Sequence, residues 1–215
     1  MKTKICLLAA LFIFSGFQVL SQARWDIKES DPTVWVKFCD DINEIEFDED
    51  DINDLPDEDP LDGVTPTMTN ILASVLDDFN EVNASYLRLE VYTDDVEDEA
   101  KDRTIDVCLQ NSNNPFEGGH ALPIIEEGKL TGCEIVMIED VEDDLASFLS
   151  TLTHEIGHCI GLDHPQETRH SIMSYYHEDK VRLQLDDKMG LIHLYPDSDY
   201  DLAEQPNFGL SCSTR

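Results

Sequence analysis

Basic side chains are what this 215-residue chain most lacks: 14 lysines and arginines stand against 47 aspartates and glutamates, a formal charge of −33. So acidic a surface repels the phosphates of nucleic acid and the anionic face of a membrane, which excludes partners of both kinds. Long apolar runs are missing too. The one sizeable run, Ile5 to Phe17, is too short to span a bilayer, and no later segment approaches it. With Lys2 and Lys4 before it and Ser21, Gln22 and Ala23 behind, the run reads as a secretory signal over residues 1–23. The expectation is a soluble, monomeric, extracellular or periplasmic protein. Its mature part, residues 24–215, is long enough for one domain with a buried core. No internal repeat is visible, and the tail after Pro196 has no clear period.

Loss of Lys2 and Lys4 with the signal leaves 12 basic residues against 47 acids, a formal charge of −35. That charge serves solubility in a salty medium, with long-range steering of cationic substrates as the sharper alternative. Cys6 leaves as well, so five cysteines remain: Cys39, Cys108, Cys133, Cys159 and Cys212. An odd count in an oxidising compartment allows at most two internal bridges. Cys159 is the expected odd one. Pairing Cys108 with Cys133 and Cys39 with Cys212 ties neighbouring strands and the domain ends, although sequence leaves the connectivity open.

Thr33 to Phe38, TVWVKF, alternates β-formers and reads as a first strand, as do Tyr86–Tyr92, Thr104–Leu109 and Cys133–Glu139. From Asp40 to Asp62 more than half the residues are acidic, which predicts a solvated insertion over residues 40–62, or else a cation-binding or self-inhibiting segment. Thr65 to Asn83 places Met68, Ile71, Leu72, Val75, Leu76, Phe79 and Val82 at helical spacing. Thr65 before Pro66 is its expected N-cap. A second helix, capped by Asp143 or Asp144, runs through Leu145, Phe148, Leu149 and Leu152. A last helix, LDDKMGLIHLYP, begins near Asp186 and stops before Pro196.

The second helix ends in HEIGHCIGLDH, His154 to His164. His154 and His158 lie four residues apart and share a helix face, where two imidazoles can close on one Zn²⁺. Glu155 is offset by one residue, which sets its carboxylate beside the open coordination position as a general base. Gly161 can take the positive φ that turns the chain and brings His164 to the same ion. Three nitrogen ligands with one position open are a catalytic arrangement.

The stretch matches the metzincin pattern HExxHxxGxxH at each fixed position, and Ser171-Ile172-Met173-Ser174-Tyr175 resembles that family's Met-turn. The resemblance implies a secreted zinc endopeptidase of α+β (mixed α/β) class. The expected domain has a twisted, mostly parallel five-stranded sheet with an antiparallel edge strand, an active-site helix, a Met-turn and a C-terminal helix. One catalytic Zn²⁺ per chain and a polypeptide substrate are implied with it. Gly118 to Pro123, GGHALP, resembles the edge strand along which metzincins bind extended substrate, with His120 either a substrate contact or an ordinary core or surface histidine. Met173 is expected to support the imidazoles by packing.

The short gap from His164 to Met173 and the last helix resemble matrixins, whereas SIMSYY and Pro165 resemble serralysins and astacins. In the latter branches Tyr175 would stabilise the oxyanion; otherwise Tyr175 walls the pocket, with Tyr176 as the other wall candidate. His170, His177 and His193 read as solvated or packed. Since His120 is the one mature histidine upstream of the motif, the second, structural zinc of matrixins is expected to be absent. Glu139, Asp140, Glu142 and Asp143 stand where matrixins hold Ca²⁺, or form a solvated acidic turn. No PRCGxPD segment precedes the domain; Cys39-Asp40-Asp41 is a weak candidate for a plug on the zinc, against half of a disulfide. A non-catalytic, metal-binding or adhesive secreted protein is the competing reading, favoured by the acidity and opposed by Glu155. A peptidase acting only on its own chain or on a single partner is the third.

Overall fold

The computed structural model describes residues 23–40, 42, 45, 47, 67–93, 102–110, 118–138, 144–165, 169–175 and 180–198. Six strands and three helices are named within them: β1 (Arg24–Trp25), β2 (Thr33–Phe38), α1 (Met68–Asn80), β3 (Arg88–Val91), β4 (Thr104–Gln110), β5 (Gly119–Glu126), β6 (Lys129–Ile138), α2 (Leu145–Cys159) and α3 (Leu185–Leu194). The strands form one sheet in the order β1-β6-β4-β2-β3, with β5 pairing β6. All pairings are parallel except β5 with β6, which is antiparallel. The sheet is therefore mostly parallel with an antiparallel edge strand, but six-stranded rather than five-stranded. The extra strand, β1, is two residues long and too short to show any period.

Alternation decides which face of the sheet is covered. In β2, Val34, Val36 and Phe38 are buried while Thr33, Trp35 and Lys37 are not, and Ile105 and Val107 of β4 continue the buried face. Helices α1 and α2 lie on it, α1 through Met68, Ile71, Leu72, Val75, Leu76 and Phe79 and α2 through Leu145, Phe148, Leu149, Leu152 and Ile156. Each Leu or Phe buried this completely contributes about 1.5–3 kcal/mol. Helix α1 starts later than the proline signal predicts. Thr67 is its N-cap, accepting from the Asn70 N–H at 3.3 Å, whereas Thr65 and Pro66 lie outside the described residues. For α2, the cap is Asp144, whose side chain accepts from the Ala146 N–H.

The acidic run from Asp40 is not wholly solvated. Ile42 and Phe47 are buried, and the Phe47 ring meets that of Phe148 with centroids 5.5 Å apart. Two apolar residues near the start of the acidic run thus belong to the core.

Both expected disulfides are corrected. Cys39 pairs with Cys108, and Cys133 with Cys159; Cys212 lies outside the described residues. Cys39 follows β2, whose Phe38 is in register with Val107 of β4, so Cys39 and Cys108 sit side by side with Cα atoms 4.9 Å apart. Cys159 is not the odd thiol, because in a helix it lies about 100° from its neighbour His158 and shares the core-facing stripe of Leu152 and Ile156. That stripe faces Cys133 of β6. A Cys39 thiolate is therefore not available as a plug for the metal.

Candidate metal centre

The end of α2 is fixed from three directions. Gly161 has φ of 98°, and the Leu162 N–H bonds to the Gly157 carbonyl at 2.9 Å while the Gly161 N–H bonds to that of His158 at 3.0 Å. This is a Schellman turn, which uses carbonyls that the helix leaves unpaired. Two further terminal carbonyls are taken by side chains: Trp25 Nε1 donates to Cys159 O at 2.9 Å, and the Tyr195 hydroxyl donates to Ile160 O at 2.8 Å. A Cβ at Gly161 would stand 2.8 Å from the Ala23 carbonyl oxygen, so close approach as well as positive φ demands glycine here.

The turn brings His164 back to the helix. The Nε2 atoms of His154, His158 and His164 lie 3.1, 3.1 and 3.3 Å from one another. Nitrogens bound tetrahedrally to one zinc at about 2.0–2.1 Å stand roughly 3.3–3.4 Å apart, so the spacing fits that ion. Proton bookkeeping supports the fit. His154 Nδ1 lies 2.7 Å from Ile172 O and His158 Nδ1 lies 3.0 Å from Leu162 O. A carbonyl only accepts, so each Nδ1 carries a proton, which leaves Nε2 as the atom whose lone pair a metal can take. Burial holds the His158 ring below its usual pKa, in the neutral form that a metal requires. Together the three histidines can hold a metal ion.

Glu155 is buried at 6% exposure beside this cluster, with a hydrogen bond from the Ala121 backbone of β5. Burial pushes its carboxyl up to about 7, and the Ala121 bond pulls the other way. A cation among the histidines would pull it down further. The arrangement places a proton acceptor between the three histidines and β5, the strand that pairs only with β6 among the described residues.

Residues 171–174 close a turn below the helix, with the Ser174 N–H on Ser171 O at 3.2 Å, and Ile172 and Met173 are fully buried. Two residues of this floor escape a reading of the sequence. A Cβ at Gly157 would stand 2.2 Å from Met173 Sδ, so the glycine inside the helix exists to admit the thioether. Its signal was available, since a glycine in mid-helix costs about 1 kcal/mol relative to alanine and calls for a packing reason. The second is Asp187, fully buried, which accepts from Ser171 Oγ and from the backbone N–H groups of Ile172, Met173 and Gln184. Nothing separates it in sequence from the surface acids around it.

Tyr175 is 69% exposed, and its ring stacks on His164 with centroids 3.9 Å apart and planes 21° apart. His120 is half-buried on β5, and His170 and His193 are exposed. Tyr176, His177 and the acidic group Glu139, Asp140, Glu142 and Asp143 lie outside the described residues.

Comparison with known proteins agrees with the cluster. No curated protein matches the chain. Among solved structures, one titled "GM1 bound form of the ECX AB5 holotoxin" aligns over 86% of this chain and 92% of its own, at 14% identity and a TM-score of 0.45. The model of the matrixin family, a peptidase family, matches residues 40–196, well over half of the sequence and inclusive of all three histidines and the turn below them. The chain belongs to the matrixin family.

Proposed function

We propose that the protein is a secreted, zinc-dependent endopeptidase in which His154, His158 and His164 hold the ion and Glu155 is the general base. The convergence of three Nε2 atoms beside a buried carboxylate carries this reading. When bound, zinc supplies a Lewis acid that polarises the scissile carbonyl and acidifies the attacking water. Glu155 takes the proton from that water and returns it to the leaving amine, which requires a group able to exchange protons near neutral pH. Ala121 holds the carboxylate at the sheet edge, where an extended peptide can pair with β5. Gly161 and Met173 support the ligands, the one by turning the chain and the other by filling the space under the helix. Although the chain is a matrixin, the Tyr175 hydroxyl is assigned to the developing oxyanion on the likeness of SIMSYY to the serralysin and astacin Met-turn, with a pocket wall beside His164 as its other role. Two disulfides and the absence, among the described residues, of a helix able to cross a membrane are consistent with an extracellular site of action.

The test is Glu155→Gln. The amide keeps the shape of the side chain but cannot take a proton, so zinc content should remain stoichiometric while hydrolysis of unfolded casein falls by at least about 10²- to 10⁴-fold. Full activity in that variant, or no hydrolysis by the zinc-loaded parent on casein and a peptide library, overturns the reading and leaves a metal-binding protein.

A further inference from the structure

Strands β1, β2, β3, β4 and β6 run parallel, so their amino ends share one side of the sheet. Bases gather on that side: Arg24 opens β1, Arg88 opens β3, Arg103 precedes β4 and Lys129 opens β6. Each is bonded. Arg103 and Lys129 pair with Asp31 and Asp26, while Arg24 and Arg88 donate to the Leu194 and Ser85 carbonyls. Lys37 of β2 stands at the opposite side, and among the described residues it is the only base at a carboxyl end of these strands.

Two neighbours compete for Lys37. It is in register with Asp106 of β4 on one side, and lies beside Tyr92, which follows β3, on the other. Its ammonium takes the second side: Nζ stands over the Tyr92 ring, 5.6 Å from the centroid, and among the described residues it forms no ion pair. That side is hollow. A crevice of about 320 Å³ opens between the ends of β2 and β3 and the first turn of α1, with Lys37 and Tyr92 in its wall. Phe38, Leu72 and Val91 give it an apolar lining, and the exposed Thr69 and Thr93 complete it. Open parallel sheets take small ligands outside the carboxyl ends of their strands, and the volume lies at the lower end of ligand pockets.

Lys37 is the one charged group of this lining, so charge complementarity selects an anion. The first turn of α1, where Thr69 lies, favours the same sign, because its N–H groups precede the helix's own bonds. A dianion would meet a single balancing charge in a chain of net −33, which selects a singly charged group. The apolar lining and the tyrosine ring suit a hydrocarbon body. We propose that this crevice binds a small monocarboxylate with an aliphatic or aromatic body, its carboxylate on Lys37 and its body against Phe38, Leu72 and the Tyr92 ring. The crevice shares no residue with the metal centre, and the proposal holds whether or not the protein is a peptidase.

The probe is sodium octanoate, titrated into the zinc-loaded full-length protein and followed by saturation-transfer NMR. Saturating acetohydroxamate is present throughout, to keep carboxylates off the metal. A Kd on the order of 0.1–1 mM is expected for a ligand of about ten non-hydrogen atoms. Octanamide, the neutral isostere, should bind about tenfold more weakly, and so should octanoate to Lys37→Met, which keeps the aliphatic stem and loses the charge. Thr69→Glu sets a carboxylate at the rim and should weaken octanoate about fivefold; glutamate is favoured in a first helical turn, so the fold is kept. Inorganic phosphate at the same concentration should not compete. Octanamide binding as tightly as octanoate, undiminished binding to either variant, or competition by phosphate overturns the proposal. So does the appearance of binding only when acetohydroxamate is left out, which places the carboxylate on the metal, or no binding at about 10 mM octanoate.

Discussion

The sheet with its two covering helices and the segment after Gly161 are held together by opposite means. Above the turn, apolar side chains share one buried core: Val34, Val36, Ile135 and Met137 of the sheet with the stripes of α1 and α2. Below it, regular structure is sparse and buried carboxylates do the organising. Asp187 gathers four donors from the turn at 171–173 and the start of α3, while Asp78 of α1 accepts from the Leu183 N–H and pairs with Lys188 at 3.3 Å. A loop has no ladder of its own, and its N–H groups need acceptors once water is excluded. The metal site lies on the boundary, with two histidines from the apolar part and the third from the polar one. Its floor should therefore fail under polar substitutions that the sheet would tolerate.

Asp187→Ala is the strongest way to break that contrast. Two buried backbone N–H groups, one half-buried and one hydroxyl lose their acceptor, which costs about 3–5 kcal/mol, larger than most surface aspartates in this chain can contribute. Urea melts should show it, and zinc should be released earlier in the transition than in the parent. Burial raises the Asp187 carboxyl above its ordinary value, with the four hydrogen bonds opposing the shift. The folded pKa thus exceeds the unfolded one, so this group's contribution is fully present below the unfolded pKa and is lost as pH rises through the folded pKa. Asp187→Asn, which cannot titrate, should flatten the pH dependence of unfolding in that window. An unchanged slope would show that the four donors, not burial, set the protonation of this group.

The same division decides what could be read in the sequence. Alternation located β2, and helical period located α1 and α2, because each buries one face. Glycine and spacing placed His164 beside His154 and His158. Asp187 and Asp78 stayed hidden, since among 47 acids a buried carboxylate has no distinguishing pattern and its partners are backbone groups. The pairing of Cys133 with Cys159 was missed by treating neighbours in sequence as neighbours in space, though a helix turns them apart.

Gly157→Ala is a smaller probe, placed where the apolar part touches the floor. The added methyl would stand 2.2 Å from Met173 Sδ, which is fully buried, and overpacking of this kind costs about 1–3 kcal/mol. Alanine's better helix propensity returns about 1 kcal/mol, so a net loss of up to about 2 kcal/mol is expected. Met173→Ala in the same chain makes room, and the double variant should be more stable than the sum of the single losses predicts, by about 1 kcal/mol. Strict additivity in thermal or urea melts would remove the contact from the account of how the floor is held.

Tyr175→Phe should scarcely touch stability, because the ring is 69% exposed and its stack on His164 needs no hydroxyl. A change within about 0.5 kcal/mol is expected, with zinc retained. Rate is where the difference lies. A hydroxyl that donates to the developing oxyanion acts mainly in the transition state, so kcat should fall by about 10²- to 10³-fold while KM stays nearly constant. A loss below about threefold on one good peptide assigns the residue to the pocket wall instead. In that case a smaller residue at 175, which removes the ring from His164, should alter which side chain is accepted after the cut. The stack makes this a clean separation: Phe keeps the contact with His164 and removes only the oxygen, so any rate effect belongs to the hydroxyl alone.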